Sequence, residues 1–235
     1  MLHDIDFHLL KHIVSFCDTV DICELLCVSK MINISGISLH NVSIRGFDIY
    51  EFVRFLRKHQ IVSISYLKIE DYNMLNDHCM WWYNSNCDCI QYIIATFEAL
   101  NINFLELKNV HLQVKLPLHV EKVYLIDCRF DVDILSSITN LKRLMINSNY
   151  EYYYPDPFWT QQIELDGLCM PHLEYFDCNG FIFEDQLRNF IDNSHVIDSL
   201  KLFRIQTLMD EENDYTDLSA KIKEKFKNAK VEVYL

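Results

Sequence analysis

One short apolar pattern returns along this chain, and it limits the folds open to it more than any other feature. Its form is apolar-x-x-apolar-x-apolar. The copies are Leu39-x-x-Val42-x-Ile44, Ile64-x-x-Leu67-x-Ile69, Ile102-x-x-Leu105-x-Leu107, Val120-x-x-Val123-x-Leu125, Leu141-x-x-Leu144-x-Ile146, Leu173-x-x-Phe176-x-Cys178 and Ile197-x-x-Leu200-x-Leu202. Asn228-x-x-Val231-x-Val233 closes the series with a polar first place. Two apolar residues separated by one suit a strand buried on one face, because successive side chains point to opposite faces. Between the copies lie stretches of helical spacing: Tyr50 to His59, Ile90 to Leu100, Val132 to Ile138, Glu184 to Asp192 and Asp217 to Asn228. Strands joined by helical crossovers run parallel. Val42, Leu67, Leu105, Val123, Leu144, Phe176, Leu200 and Val231 are therefore expected to stack as one ladder inside a parallel sheet.

Two copies run on further, to Cys128-x-Phe130 and to Asn149. In that form the pattern resembles the leucine-rich repeat, L-x-x-L-x-L-x-x-N/C-x-L, in which the N/C side chain satisfies backbone groups at the turn. From Val42 to Val231 the copies average roughly 27 residues, the usual length of that repeat, although single intervals are uneven. The resemblance implies an irregular solenoid with parallel strands and outer helices. An ordinary open α/β sheet also alternates strand and helix. Against it stands the lack of a glycine-rich strand-to-helix turn in a chain with only 4 glycines.

Ahead of the repeats lies IDFHLLKHIVSFCDTVDICELLCVSK, from Ile5 to Lys30. Leu9, Leu10, Ile13, Val14 and Cys17 make one apolar stripe at helical spacing. Asp18 and Thr19 break that helix, and Asp21 with Glu24 three places on reads as a capping start for the next, which carries Ile22, Leu25 and Leu26. Helices this short are marginal alone, so they must dock on their own chain or on a partner. The stretch resembles an F-box, matching it without a gap at Leu9-Leu10, Ile13, Phe16, Asp21-Ile22, Leu25, Val28 and Lys30. Asp6 stands where that family usually has proline, and Ile32 where it often has tryptophan. The resemblance implies binding of a Skp-type adaptor, and through it a cullin, by Ile5, Leu9, Leu10, Ile13, Phe16, Ile22, Leu25 and Val28. Without it, the same helices would merely cap the following domain.

The expected architecture is thus α/β: an F-box-like helical module over residues 1–35, then a leucine-rich-repeat-like domain over 36–235. The combination resembles the F-box/leucine-rich-repeat proteins, substrate receptors of Skp-cullin-F-box ubiquitin ligases. It implies that the chain recruits a protein target and performs no chemistry itself. A repeat protein unconnected to ubiquitin is the alternative, and an enzyme on an open α/β sheet is a third.

Composition narrows the partners. The formal net charge of −13 repels nucleic acid and anionic membrane. No apolar run approaches the roughly 18 residues of a membrane span. The 9 cysteines, an odd number, and a start interrupted by His3, Asp4 and Asp6 lead us to expect a reduced, soluble chain in the cytoplasm or nucleus. No phosphate loop, dinucleotide fingerprint, nucleophile elbow or H-E-x-x-H occurs, so no cofactor is expected. His8 and His12 lie four apart without an apparent third ligand. Cys23 and Cys27, also at helical spacing, read as buried apolar thiols. His78, Cys79, Cys87 and Cys89 are sufficient in number for zinc, but His-Cys followed by Cys-x-Cys is not a usual ligand spacing, and no metal is assigned.

The capture of a target is expected on the strand face that points away from the core. Tyr124, Ile126, Met145, Asn147 and Phe203 belong to that face if the copies are framed as above, together with Glu106, Lys108 and Lys201. Apolar residues where solvent favours polar ones mark a partner surface. Two aromatic insertions, CMWWY at Cys79 to Tyr83 and YEYYYPDPFW at Tyr150 to Trp159, would leave the sheet at one rim. Tyr153 and Trp159 are the candidates there, since such residues dominate binding hot spots. The opposing reading is that these rings fold back over the core edge. Asp210 to Asp214 reads as a solvated loop, and the lysines from Lys221 to Lys230 as the polar face of a terminal helix.

Overall fold

In the stretch Arg143-Leu-Met-Ile-Asn, Leu144 and Ile146 are buried while Arg143, Met145 and Asn147 are half-buried. Ten strands are described: β1 (Ile37–Arg45), β2 (Ile61–Glu70), β3 (Asn101–Lys108), β4 (His111–Leu112), β5 (Lys122–Ile126), β6 (Arg129–Phe130), β7 (Arg143–Asn147), β8 (Tyr175–Asn179), β9 (Leu202–Gln206) and β10 (Lys230–Tyr234), and the same alternation marks β5, β8 and β9. Among the described residues three helices have both ends placed, α1 (Val132–Ser136), α2 (Glu184–Asn193) and α3 (Thr216–Lys225). This computed structural model describes residues 37–45, 52, 61–70, 100–112, 115–116, 119–130, 132–136, 138–148, 165, 171–180, 182, 184–193, 198–206 and 215–234. The F-box-like module and its residues Ile5, Leu9, Leu10, Ile13, Phe16, Ile22, Leu25 and Val28 lie outside the described residues.

Eight strands form one all-parallel sheet in the order β1-β2-β3-β5-β7-β8-β9-β10. Strands β4 and β6 pair separately, also in parallel. Along the large sheet, order in space is order in sequence, with no reversal among the described residues. Crossovers between parallel strands are right-handed. A sheet that always advances in one direction therefore sends its crossovers to the same face. Burial agrees. Ile134 and Leu135 of α1, Leu187, Phe190 and Ile191 of α2, and Leu218 and Ile222 of α3 join a single apolar cluster with the inward strand residues. The opposite face is left mostly to half-buried and exposed side chains, with Glu70 and Glu106 buried among them.

The inward ladder forms as the pattern predicts over most of its length. Val42 pairs with Leu67, Leu67 with Leu105, Leu105 with Val123, Val123 with Leu144 and Leu144 with Phe176. The next rung is a correction. Phe176 pairs with Phe203, not Leu200, and Phe203 pairs with Val231. The copy is Leu200-x-x-Phe203-x-Ile205, three residues later than the apolar spacing alone suggests. Phe203 is only 1% exposed. Its ring lies 4.3 Å from that of Phe226, 5.2 Å from Phe176 and 6.3 Å from Phe190, stacked in each case. Packing of these large rings decides between two frames that the pattern permits equally.

Helix expectations at Val132 to Ile138, Glu184 to Asp192 and Asp217 to Asn228 correspond to α1, α2 and α3. Of Tyr50 to His59, only Phe52 is described, in a helix and buried. Ile90 to Leu100 lies outside the described residues apart from Leu100.

At the strand ends one turn recurs. The backbone N–H of Asn109 donates to Ile126 O at 2.9 Å, that of Asp127 to Asn147 O at 2.8 Å and that of Ser148 to Asn179 O at 2.8 Å. Asn109 and Asp127 take positive φ, 56° and 50°, which asparagine and aspartate tolerate better than most residues. Cys128 follows directly. It is buried and donates to Leu107 O at 3.2 Å and Ile126 O at 3.3 Å, satisfying carbonyls at the turn. Burial pushes its thiol up to about 12.

Candidate functional site

The face away from the core is a grid, because the sheet is parallel and in register. Its first row holds Asn41, Tyr66, Phe104, Lys122, Arg143, Tyr175, Leu202 and Lys230. The second holds Ser43, Lys68, Glu106, Tyr124, Met145, Asp177, Arg204 and Glu232, and the third Arg45, Glu70, Lys108, Ile126, Asn147, Asn179, Gln206 and Tyr234. Cross-strand neighbours along each row sit about 4.8 Å apart, close enough for ion pairs and ring contacts.

Both margins of the grid are charge-paired. On β1 to β3, Glu70 lies 3.5 Å from Arg45 and 2.8 Å from Lys108, and Glu106 lies 2.9 Å from Lys68. Tyr66 donates its hydroxyl to Glu106 at 2.7 Å. Glu70 and Glu106 are 6% and 9% exposed, and a carboxylate so far from water must be neutralised by partners. The hydrogen bond from Lys108 holds the Glu70 carboxyl below the usual glutamate range, against the opposing effect of burial. Burial, and then Glu106, push the Tyr66 phenol well above its ordinary value. On β8 to β10, Arg204 spans Asp177 at 3.1 Å and Glu232 at 2.6 Å, and Lys230 meets Glu232 at 2.5 Å.

Between these margins the grid is aromatic. The Phe104 ring lies 4.7 Å from Tyr66 and 4.5 Å from Tyr124, the latter edge to face. Arg143 donates to the Tyr124 hydroxyl at 3.4 Å and sets its guanidinium 4.4 Å above the Tyr175 ring. Lys201 Nζ approaches the same ring at 5.9 Å. Rings and guanidinium so form a continuous run over β2, β3, β5, β7 and β8, with Met145 and Ile126 half-buried beside it. Such a run binds by stacking, apolar contact and planar charge recognition.

Of the expected capture residues, Tyr124, Ile126, Met145 and Asn147 stand together on this face. Asn147 accepts from Asn179 Nδ2 at 3.3 Å, which ties the third row across β7 and β8. Phe203 does not stand there. It is core, because the three-residue shift of frame turns it inward. Lys201 precedes β9, paired with Glu174 at 2.5 Å. Tyr153 and Trp159 of the rim, and His78, Cys79, Cys87 and Cys89, lie outside the described residues.

Sequence reasoning missed Tyr66, Phe104, Arg143 and Tyr175. The signal was present: each immediately precedes the second apolar place of its copy, at Leu67, Leu105, Leu144 and Phe176, so the same alternation turns it outward. Among the described residues there is no group of three or more side chains suited to a metal ion, and no helix is long and apolar enough to cross a membrane. Comparison of the chain with protein-family models, with curated proteins and with solved structures finds no match.

Proposed function

We propose that this chain is the substrate-recognition subunit of a Skp-cullin-F-box type ubiquitin ligase, and that its sheet is the strand face of an irregular leucine-rich-repeat solenoid. The single observation that carries the reading is the ungapped F-box spacing from Ile5 to Lys30, placed directly ahead of a repeat pattern. Support for the solenoid comes from the strand order, which does not reverse among the described residues, and from the in-register ladder from Val42 to Val231. The turn bonds of Cys128 suit the repeat's N/C place. A doubly wound enzyme fold binds its ligand where strand order reverses, and this order favours a recruiting role over that one.

In this reading Leu9, Leu10, Ile13 and their neighbours grip the adaptor, while the grid around Tyr124, Ile126, Met145 and Asn147 holds a protein target, with Tyr153 and Trp159 at the rim. Tethering target and ligase makes ubiquitin transfer nearly intramolecular, so effective concentration is the mechanism. The test is co-purification with a Skp-type adaptor and cullin. Replacing Leu9, Leu10 and Ile13 together with alanine is expected to abolish adaptor binding and leave the melting temperature unchanged. Each truncation removes ~2–5 kcal/mol where the side chain is buried in the complex. Wild-type protein that never binds the adaptor, or a variant that binds equally well, overturns the proposal and leaves a repeat protein unconnected to ubiquitin.

A further inference from the structure

Among the described residues, charge on the outward face is matched at every cationic position but two. Of its cations, Arg45, Lys68, Lys108, Arg204 and Lys230 each meet a carboxylate. Lys122 and Arg143 close no ion pair among the described residues; Arg143 has the Tyr124 hydroxyl and the Tyr175 ring, and its charge reaches the Glu174 carboxylate only from beyond ion-pair distance. These two are also direct neighbours in register on β5 and β7. Like charges placed opposite one another on adjacent strands destabilise a sheet. In a chain of net charge −13, with carboxylates in surplus, this pair alone among the described cations of the outward face is left for something else to neutralise.

What flanks the pair says more. Phe104 precedes Lys122 in the row and Tyr175 follows Arg143, so the order across four strands is aromatic, cation, cation, aromatic. With strands about 4.8 Å apart, each aromatic position lies about 7 Å from the midpoint between the cations. In an extended peptide, side chains on one face also recur about every 7 Å. A segment lying across the strands thus meets the cations with one residue and the rings with the residues two places before and after it.

We propose that Lys122 and Arg143 seat the carboxylate of an aspartate or glutamate in a bound peptide segment, with an apolar residue two places to either side resting on Phe104 and Tyr175. A carboxylate matches the planar guanidinium, which lies over the Tyr175 ring. The acidic residues Glu121 and Glu174, next in sequence to Lys122 and Tyr175, are paired with Lys142 and Lys201, so neither closes an ion pair with Lys122 or Arg143. The inference deepens the reading of this face as the capture surface. It does not depend on adaptor docking.

The probe is a fluorescein-labelled peptide with the core Leu-Ser-Glu-Ser-Leu, titrated with the full chain by fluorescence anisotropy. Its companions carry glutamine or phosphoserine in place of the glutamate. Expected are binding of the glutamate peptide, weakening by roughly tenfold or more with glutamine, and further weakening as salt rises. Lys122→Gln and Arg143→Gln are each expected to lower affinity for the glutamate peptide to the level of the glutamine one. Lys122 is exposed, so its variant tests the charge without disturbing packing. No binding of the glutamate peptide, or equal binding of the glutamine peptide, overturns the inference. So does binding unchanged by Lys122→Gln, and so does a phosphoserine peptide bound more than tenfold tighter. Tyr124→Ala and Met145→Ala separate the two failures. If they abolish binding of all three peptides while Lys122→Gln changes nothing, the face captures peptides but not by charge. If they too change nothing, the capture surface itself is wrong.

Discussion

Replacing Phe203 with alanine removes the ring at the centre of a stack made with Phe176, Phe190 and Phe226. The side chain is 1% exposed and lies between the sheet and the helices. Truncating a buried phenylalanine costs about 3–5 kcal/mol, the transfer of its atoms plus the cavity they leave. For a chain of this size each kcal/mol shifts the melting temperature by a few degrees, so a fall on the order of 10 °C is expected. Phe203→Leu keeps most of the apolar volume and should cost less than about 1.5 kcal/mol. The assay is thermal unfolding followed by circular dichroism, repeated in urea, with Tyr124→Ala as the comparison. Tyr124 is half-buried on the outward face, and its loss should cost less than half as much. The reasoning fails if Phe203→Ala melts within about 2 °C of the wild type, or if Tyr124→Ala is the more damaging change. Either result would mean that the strand presents Phe203 outward and that its pairing with Phe176 and Val231 is misplaced.

Acid should weaken the protein partly through Glu70, whose carboxyl is held low by Lys108. Because its folded value lies below the unfolded one of roughly 4.3, the unfolded chain binds the proton more readily. The stabilisation is therefore complete above about pH 5 and is lost as pH falls through the lowered folded value. Urea midpoints compared with Glu70→Gln should differ most near pH 6 and converge toward pH 3; a gap independent of pH rejects this role. Cys128 and Cys178 are both free and buried, and burial raises both thiols. Peptide mapping after iodoacetamide at pH 8 should find them unlabelled in the native protein and labelled in urea, whereas native labelling would place them near solvent.

Much of the fold was legible in the chain because a one-faced strand has a period of two and a helix a period near 3.6. The copies at Val42, Leu67, Leu105, Val123, Leu144, Phe176 and Val231 identified their inward residues, and α1, α2 and α3 fell where helical spacing resumed. Part of the outward face was equally readable, in Tyr124, Ile126, Met145 and Asn147. Periodicity did not suffice where apolar residues crowd. Leu200, Leu202, Phe203 and Ile205 satisfy two frames, and only the stacking of Phe203 against rings from Phe176, Phe190 and Phe226 selects one. Nor does sequence tell which charges meet. Glu70 and Lys108, or Asp177 and Arg204, become neighbours only when distant strands align in register, so pairing is a property of the sheet. The same holds for Lys122 and Arg143. Each is an ordinary charged residue in sequence, and only their juxtaposition on adjacent strands, with no carboxylate to separate them, makes the pair a place where an anion is wanted.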